Sequence, residues 1–257
     1  MGWDLFIYFA CVAMAFWSIA AVFSVVNKVD SKGVRRVLPL IFSVAGSLVI
    51  LAFVVYLWVL LERPPLRTMG ETRLLYTVFM GVIGGLIYAK WRFKWLVPFS
   101  SLLCVVFTII NIVKPEIHSK ELMPALQSIW FIPHVTVYMI SYSVAGCACL
   151  LVLGKAKVEQ IDVLVRIAVG LLMFGMMSGS IWAKDAWGTY WNWDPKETWA
   201  AVTVILFLIF MHLRIFVKKD FKFIYIIIIF AFLCLQVCWW GVNYLPWAKT
   251  SVHVYGN

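Results

Sequence analysis

The chain has 257 residues, 64% of them hydrophobic and 13% charged, with a formal net charge of +10 and a mean hydropathy of +0.94. No soluble domain of this size can hide so much apolar surface, so the composition excludes a water-soluble globular protein and reads as an integral membrane protein. The basic excess invites a nucleic-acid reading, which the placement of the charges rejects.

Taken in chain order, eight apolar runs fall at 4–26, 37–61, 72–89, 95–113, 132–153, 161–182, 198–216 and 223–242. Each approaches the ~20 residues that span a bilayer as a helix. None alternates with period two, so a β-barrel is excluded. The fold class predicted is all-α: a polytopic membrane helix bundle of eight transmembrane helices. Residues 1–257 form a single integral membrane domain, with helices 1–4 in 1–123 and helices 5–8 plus a C-terminal tail in 124–257. The first run lacks a basic n-region and a small-residue cleavage site, so it reads as a retained helix.

Alternate loops differ sharply in charge. One side holds Lys28, Lys32, Arg35, Arg36, Lys90, Arg92, Lys94, Lys155, Lys157, Arg166, Arg214, Lys218, Lys219 and Lys222 against Asp30, Glu159, Asp162 and Asp220. On the other side the two signs balance. The basic face is therefore cytoplasmic, and both termini are extracytoplasmic. No nucleic-acid partner is implied; the surrounding partner is membrane lipid.

Six cysteines (Cys11, Cys104, Cys147, Cys149, Cys234 and Cys238) all fall inside predicted helices, where they act as small apolar residues. Cys234 and Cys238 share a helix face. No Cys-x-x-Cys-His occurs, so the chain does not itself attach haem in the c-type manner.

The outward side carries the unusual residues. His134 opens the fifth helix beside Pro133, and a loop between helices six and seven contains Trp187, Trp191, Trp193 and Asp194. His253 lies in the C-terminal tail, which extended chain carries roughly 30 Å, far enough to fold back across that loop. An aromatic surface with imidazoles at hand suits a flat ligand carrying a metal, and neutral imidazole is a good ligand for haem iron. His212 is deeper, about 21 Å into helix seven from Thr198 at ~1.5 Å per residue, and belongs to a different site. Tryptophans at a membrane boundary also serve as belt anchors. Asp194-Pro195-Lys196-Glu197 reads as a helix start, with Asp194 the N-cap, Pro195 the first helical residue and Glu197 the capping-box partner.

Trp187-Gly188-Thr189-Tyr190-Trp191-Asn192-Trp193-Asp194 resembles the tryptophan-rich WGxxWxWD signature of haem-handling proteins in cytochrome c maturation. The continuation Pro195-Lys196-Glu197-Thr198-Trp199 is similar to the CcsA (ResC) branch of that superfamily. Leu126-Gln127-Ser128-x-Trp130-x-x-Pro133-His134-Val135 is similar to the branch's first external histidine segment, and Val252-His253-x-Tyr255-Gly256 to its second. Phe210-Met211-His212-Leu213-Arg214 matches the place of the in-membrane histidine. The resemblance covers about 124–257; the first four helices share only hydropathy.

The resemblance implies that His134 and His253 are the axial ligands of an external haem. Trp187, Gly188, Trp191, Trp193 and Asp194 would form the surface it rests on, and His212 would be one ligand of a haem within the membrane. No catalytic residue is implied, because haem b is cargo and substrate rather than a resident cofactor. The implied activity is holocytochrome c synthase (haem lyase), exercised only in complex with a ResB (CcsB)-like membrane subunit, which is expected as a separate chain. The further partners implied are an apocytochrome c with Cys-x-x-Cys-His and the proteins of a thiol-reducing pathway. The location implied is the bacterial cytoplasmic membrane or its organellar equivalent, with attachment on the extracytoplasmic face. Lys184, Lys196 and Lys249 lie on the outward side as candidate partners for haem propionates, and His118 reads as a surface residue.

Two other readings differ in class. A CcmC-like exporter would hand haem to a chaperone, but the residues after Asp194 and the presence of His212 argue against it. A non-haem scaffold or transporter would use the tryptophans only as anchors; the paired half-helices or inverted repeats of a transporter do not appear in the sequence.

Overall fold

The computed structural model describes residues 2–27, 33–118, 128–217 and 222–245. All regular structure among them is helical: α1 (Phe6–Val26), α2 (Val34–Leu61), α3 (Met69–Trp91), α4 (Leu96–Val113), α5 (Phe131–Leu153), α6 (Val158–Trp187), α7 (Pro195–Phe216) and α8 (Lys222–Trp239), with 3₁₀ turns at Pro115–His118 and Gly241–Tyr244. Among the described residues, seven helices are long and apolar enough to cross a membrane. The eighth, α8, is 18 residues long and its described part, Ile224–Trp239, is apolar. The chain tightens into the 3₁₀ turn before the predicted limit at 242.

The chain divides into two compact units, Met1–Lys120 and Glu121–Asn257. In the first, α1 packs on α2 and α4, and α3 packs on α2 and α4, closing a four-helix ring. Trp17 of α1 is fully buried in it. Its indole N–H donates to the Ser43 carbonyl at 3.3 Å. A Cβ on Gly46 of α2 would lie 2.7 Å from that nitrogen, and one on Gly81 of α3 would lie 2.9 Å from it. Small residues at these two points let three helices close around one large ring.

The link between α2 and α3 is organised by Glu71, only 2% exposed. Its carboxylate accepts from both Arg63 guanidinium nitrogens at 3.1 and 2.9 Å and from the backbone N–H groups of Arg67 and Thr68 at 2.7 and 3.1 Å. Thr68 returns a capping bond to the Glu71 N–H, which satisfies the first amides of α3. Burial, followed by repulsion from Arg63, lowers the Arg67 pKa from its ordinary value.

His118 is not the surface residue its loop position suggests. It is half-buried, with its ring stacked on Trp3 at 3.5 Å and 5° and set against Gly70. Burial is the main cause that depresses its pKa to about 4, aided by Arg73 and opposed by Glu116.

In the second unit α5 packs along α6 and α8, and α7 along α8 and α6. Helix α6 runs to Trp187, well past the predicted limit at 182. Lys184 and Asp185 lower the hydropathy there without stopping the helix, which ends at Gly188 in the left-handed region (φ 82°). At the opposite end Arg214 of α7 grips Asp162 of α6 at 3.2 Å. It also donates to the Val217 carbonyl at 2.6 Å.

Two stability predictions follow the buried charges of the first unit. Glu71→Ala strands Arg63 and removes the α3 cap, and should cost about 3 kcal/mol, read as a lowered denaturation midpoint of the detergent-solubilised chain. His118 is held neutral when folded but takes up a proton near pH 6.5 when unfolded. Between pH 6.5 and about 4 the unfolded state binds the extra proton, so stability falls as pH falls through that window. Thermal midpoints measured from pH 7 down to pH 4 should show this slope, and His118→Phe, which keeps a ring on Trp3, should flatten it.

Candidate functional site

His134 sits in the first turn of α5, where Pro133 is tolerated because the first amides lack intrahelical partners. Its Nδ1 lies 2.8 Å from the Gly175 carbonyl of α6. A carbonyl only accepts, so Nδ1 carries the proton and, in the neutral ring, Nε2 carries the lone pair. Metal-binding imidazoles are commonly oriented by such a bond on the nitrogen that does not bind the metal.

The ring is also held by aromatics. Tyr138 meets it edge-on at 4.6 Å and Trp182 lies at 5.3 Å. Trp182, 1% exposed, packs against Phe131 at 5.0 Å and against Trp187 at 4.9 Å. His134 is thereby connected to the first tryptophan of the motif through a residue that sequence reading passed over. The missed signal was spacing: Trp182 and Trp187 lie five residues apart on what proves to be one continuous helix.

The tryptophans do not form a flat shelf. Trp182 and Trp187 meet at 62°, and Trp191 and Trp193 at 5.7 Å and 88°. Edge-to-face packing is the arrangement that ring quadrupoles favour. Trp193 is 70% exposed and adopts a left-handed backbone (φ 56°), a conformation costing about 1 kcal/mol in a non-glycine residue. An open groove of about 300 Å³ lies beside it, lined by Trp193, Pro195, Thr198, Trp199 and Val202. Trp199 is thus a second aromatic that the motif alone did not single out.

The helix-start reading of Asp194 is what the structure contains. Asp194 caps α7, accepting from the Lys196 N–H at 2.9 Å, with Pro195 in the first turn. Glu197 reaches back to the Asp194 N–H at 3.2 Å and the Asn192 N–H at 2.8 Å. Thr198 Oγ donates to the Trp193 carbonyl at 3.1 Å. These bonds pin the loop and offset the strain at Trp193. Gly188 ends α6 and has open space around it.

Of the lysines named as propionate partners, Lys184 is engaged locally through its side chain. Lys184 Nζ donates to the Gly188 carbonyl at 2.7 Å and lies 5.5 Å over the Tyr190 ring. Lys196 is half-buried in the first turn of α7, and its carbonyl accepts from the Cys238 thiol at 3.3 Å. Cys234 and Cys238 are both free thiols. His253, with the segment around it, and Lys249 lie outside the described residues.

His212 lies far along α7, exposed, with Nδ1 2.8 Å from the Leu208 carbonyl one turn back. Arg214 fixes the rotation of α7 by turning toward Asp162. At ~100° per residue, a position two earlier points to nearly the opposite face, which places His212 on the outside of the unit. The structure therefore does not bring His212 to His134.

Comparison with known proteins agrees with this architecture. The family described as Cytochrome C assembly protein matches residues 5–248, a stretch that includes His134, the Trp187–Asp194 motif and His212. The cytochrome c biogenesis protein CcsA of Chlamydomonas reinhardtii is 36% identical over 175 residues, 61% of this chain and 49% of that protein. The CcsA of Mesostigma viride is 34% identical over 54% of this chain and 59% of its own length. These alignments thus span only about half of each relative. The CcsA of Panax ginseng is 29% identical over 83% of this chain and 84% of its length. Among solved structures, the cytochrome c haem lyase CcmF superposes with a TM-score of 0.64 at 17% identity, over 93% of this chain and 46% of that one. At that identity the likeness concerns the fold.

Substitution at Asp194 separates cap from charge. Asn caps as well as Asp, so Asp194→Asn should leave thermal stability within a few tenths of a kcal/mol, while Asp194→Ala should cost about 1 kcal/mol. A denaturation midpoint for each variant, set beside that of the unaltered chain, checks both outcomes.

Proposed function

Since the chain belongs to the cytochrome c assembly protein family, we propose that it handles haem on the extracytoplasmic side of a membrane and presents it for covalent attachment to an apocytochrome c. The observation that supports this reading is the bond from His134 Nδ1 to the Gly175 carbonyl, which in the neutral ring leaves the lone pair on Nε2, the nitrogen that would ligate iron. His253 is the second axial ligand, carried by the tail beyond α8. Trp187, Trp191 and Trp193 meet the macrocycle, and the groove beside Trp193 suits the edge of a flat apolar ligand.

In this proposal the chain crosses the membrane eight times with both termini outside. The basic excess of the alternate loops supports that orientation. Haem b is cargo. With both axial positions occupied by imidazole, the iron has no open position for catalysis of its own, and the protein acts by orientation. Each cysteine S–H of the Cys-x-x-Cys-His segment adds across one vinyl C=C, sulfur to one carbon and hydrogen to the other, so thioether formation needs no oxidant. The substrate's own histidine then replaces one axial imidazole and releases the product.

His212 supports the involvement of a second chain. An exposed imidazole in a membrane-spanning helix is costly unless something polar meets it. In the proposal a ResB (CcsB)-like subunit supplies the other ligand of an in-membrane haem there. The synthase is then the complex, not this chain alone.

The chain co-expressed with such a subunit should purify with haem, seen as a pyridine haemochrome spectrum. His134→Ala should lose the external haem and cytochrome c assembly, and added imidazole should restore part of both. A preparation with no haem in either the lone chain or the complex would overturn the proposal.

A further inference from the structure

Helix α6 has three glycines in its apolar stretch, and they are not equivalent. A Cβ at Gly170 would meet nothing within 4 Å, whereas one at Gly175 would lie 2.8 Å from the Tyr138 ring. A Cβ at Gly179 would strike the His134 imidazole, reaching its Cε1 at 2.6 Å and coming closer still to Nδ1. Gly175 and Gly179 lie one turn apart on the α5-facing side. Between them the Gly175 carbonyl accepts from His134 Nδ1 at 2.8 Å and from the Ser178 hydroxyl at 3.1 Å. The two glycines leave a notch just wide enough for the Tyr138 and His134 rings. At the bottom of it is a backbone acceptor that α6 itself holds still.

We propose that Gly179 and the Gly175 carbonyl form a positioning notch that sets both the ring plane and the tautomer of His134. Gly179 acts through the absence of a side chain, Gly175 through its carbonyl oxygen, and neither touches the ligand. The notch presents Nε2 in one direction before any ligand arrives. Its functional consequence rests on the reading of His134 as an iron ligand; the tautomer itself does not.

The chain has four histidines, so ¹⁵N-histidine labelling of the full-length protein in nanodiscs resolves them, with His134→Ala assigning the resonance. The apo wild type should show His134 protonated on Nδ1, the tautomer less favoured for imidazole in water. Gly179→Ala should drive the ring off the carbonyl and shift His134 toward the Nε2-protonated form, while Gly170→Ala should leave the spectrum unchanged. An Nε2-protonated wild type, or an unchanged Gly179→Ala spectrum, would overturn the notch.

If Gly179→Ala fails to fold, combining it with His134→Ala decides the matter. Recovery of the folded double variant supports the clash with the imidazole, and continued failure overturns it. In the haem-loaded complex, Gly179→Ala should weaken haem binding about tenfold or more, the usual cost of losing an orienting partner. A tautomer that behaves as stated, in a protein whose haem ignores His134→Ala, upholds the notch and removes only the ligand reading.

Discussion

Within a bilayer no water is available to satisfy a polar group, so each one must find its partner in the protein. That constraint shapes much of this structure beyond plain apolar packing. Several hydroxyls inside the helices bond back to their own turn, as Thr108 does to the Cys104 carbonyl and Thr203 to that of Trp199. Helix starts near the interface are closed by carboxylates, Glu71 for α3 and Asp194 with Glu197 for α7. Both described histidines of the second unit obey the same rule, each spending Nδ1 on a backbone carbonyl. The consequence is chemical as well as structural. An imidazole that donates from Nδ1 keeps, in its neutral form, the lone pair on Nε2.

The same small-residue device appears in both units with different occupants. In the first, Gly46 and Gly81 admit the Trp17 ring between helices. In the second, Gly175 and Gly179 admit Tyr138 and His134. One notch holds an indole whose N–H donates to the Ser43 carbonyl; the other holds an imidazole whose Nδ1 bonds to the Gly175 carbonyl. Close approach of helix backbones, the usual service of small residues in membrane bundles, here also sets the orientation of the His134 ring.

Sequence reading located much of this and missed parts for identifiable reasons. Hydropathy placed all eight helices, but it closed α6 too early because Lys184 and Asp185 look like a terminus. With the helix cut at 182, Trp182 lost its relation to Trp187 and its role beside His134 could not be seen. The Asp194–Glu197 cap was legible because capping depends on neighbours in sequence. His118 read as a surface residue because nothing local reveals the stack on Trp3, more than a hundred positions away. Gly175 and Gly179 carried a readable signal, two glycines one helical turn apart, but the signal does not say which ring lies against them.

What the sequence determined by itself was everything set by composition and short-range order. Membrane residence follows from apolar content, the expected sidedness from the loop charges, helix starts and stops from caps and glycines, and the family resemblance from the tryptophan motif and histidine segments. Tertiary structure alone decided which histidine nitrogen presents its lone pair, that the motif's rings meet at steep angles rather than in one plane, and that His212 faces away from its own unit. Those properties arise from contacts between helices, where a carbonyl on α6 meets a ring on α5 and an aspartate on α6 sets the rotation of α7. Such contacts depend on the packing of the units, which no single segment of the chain encodes.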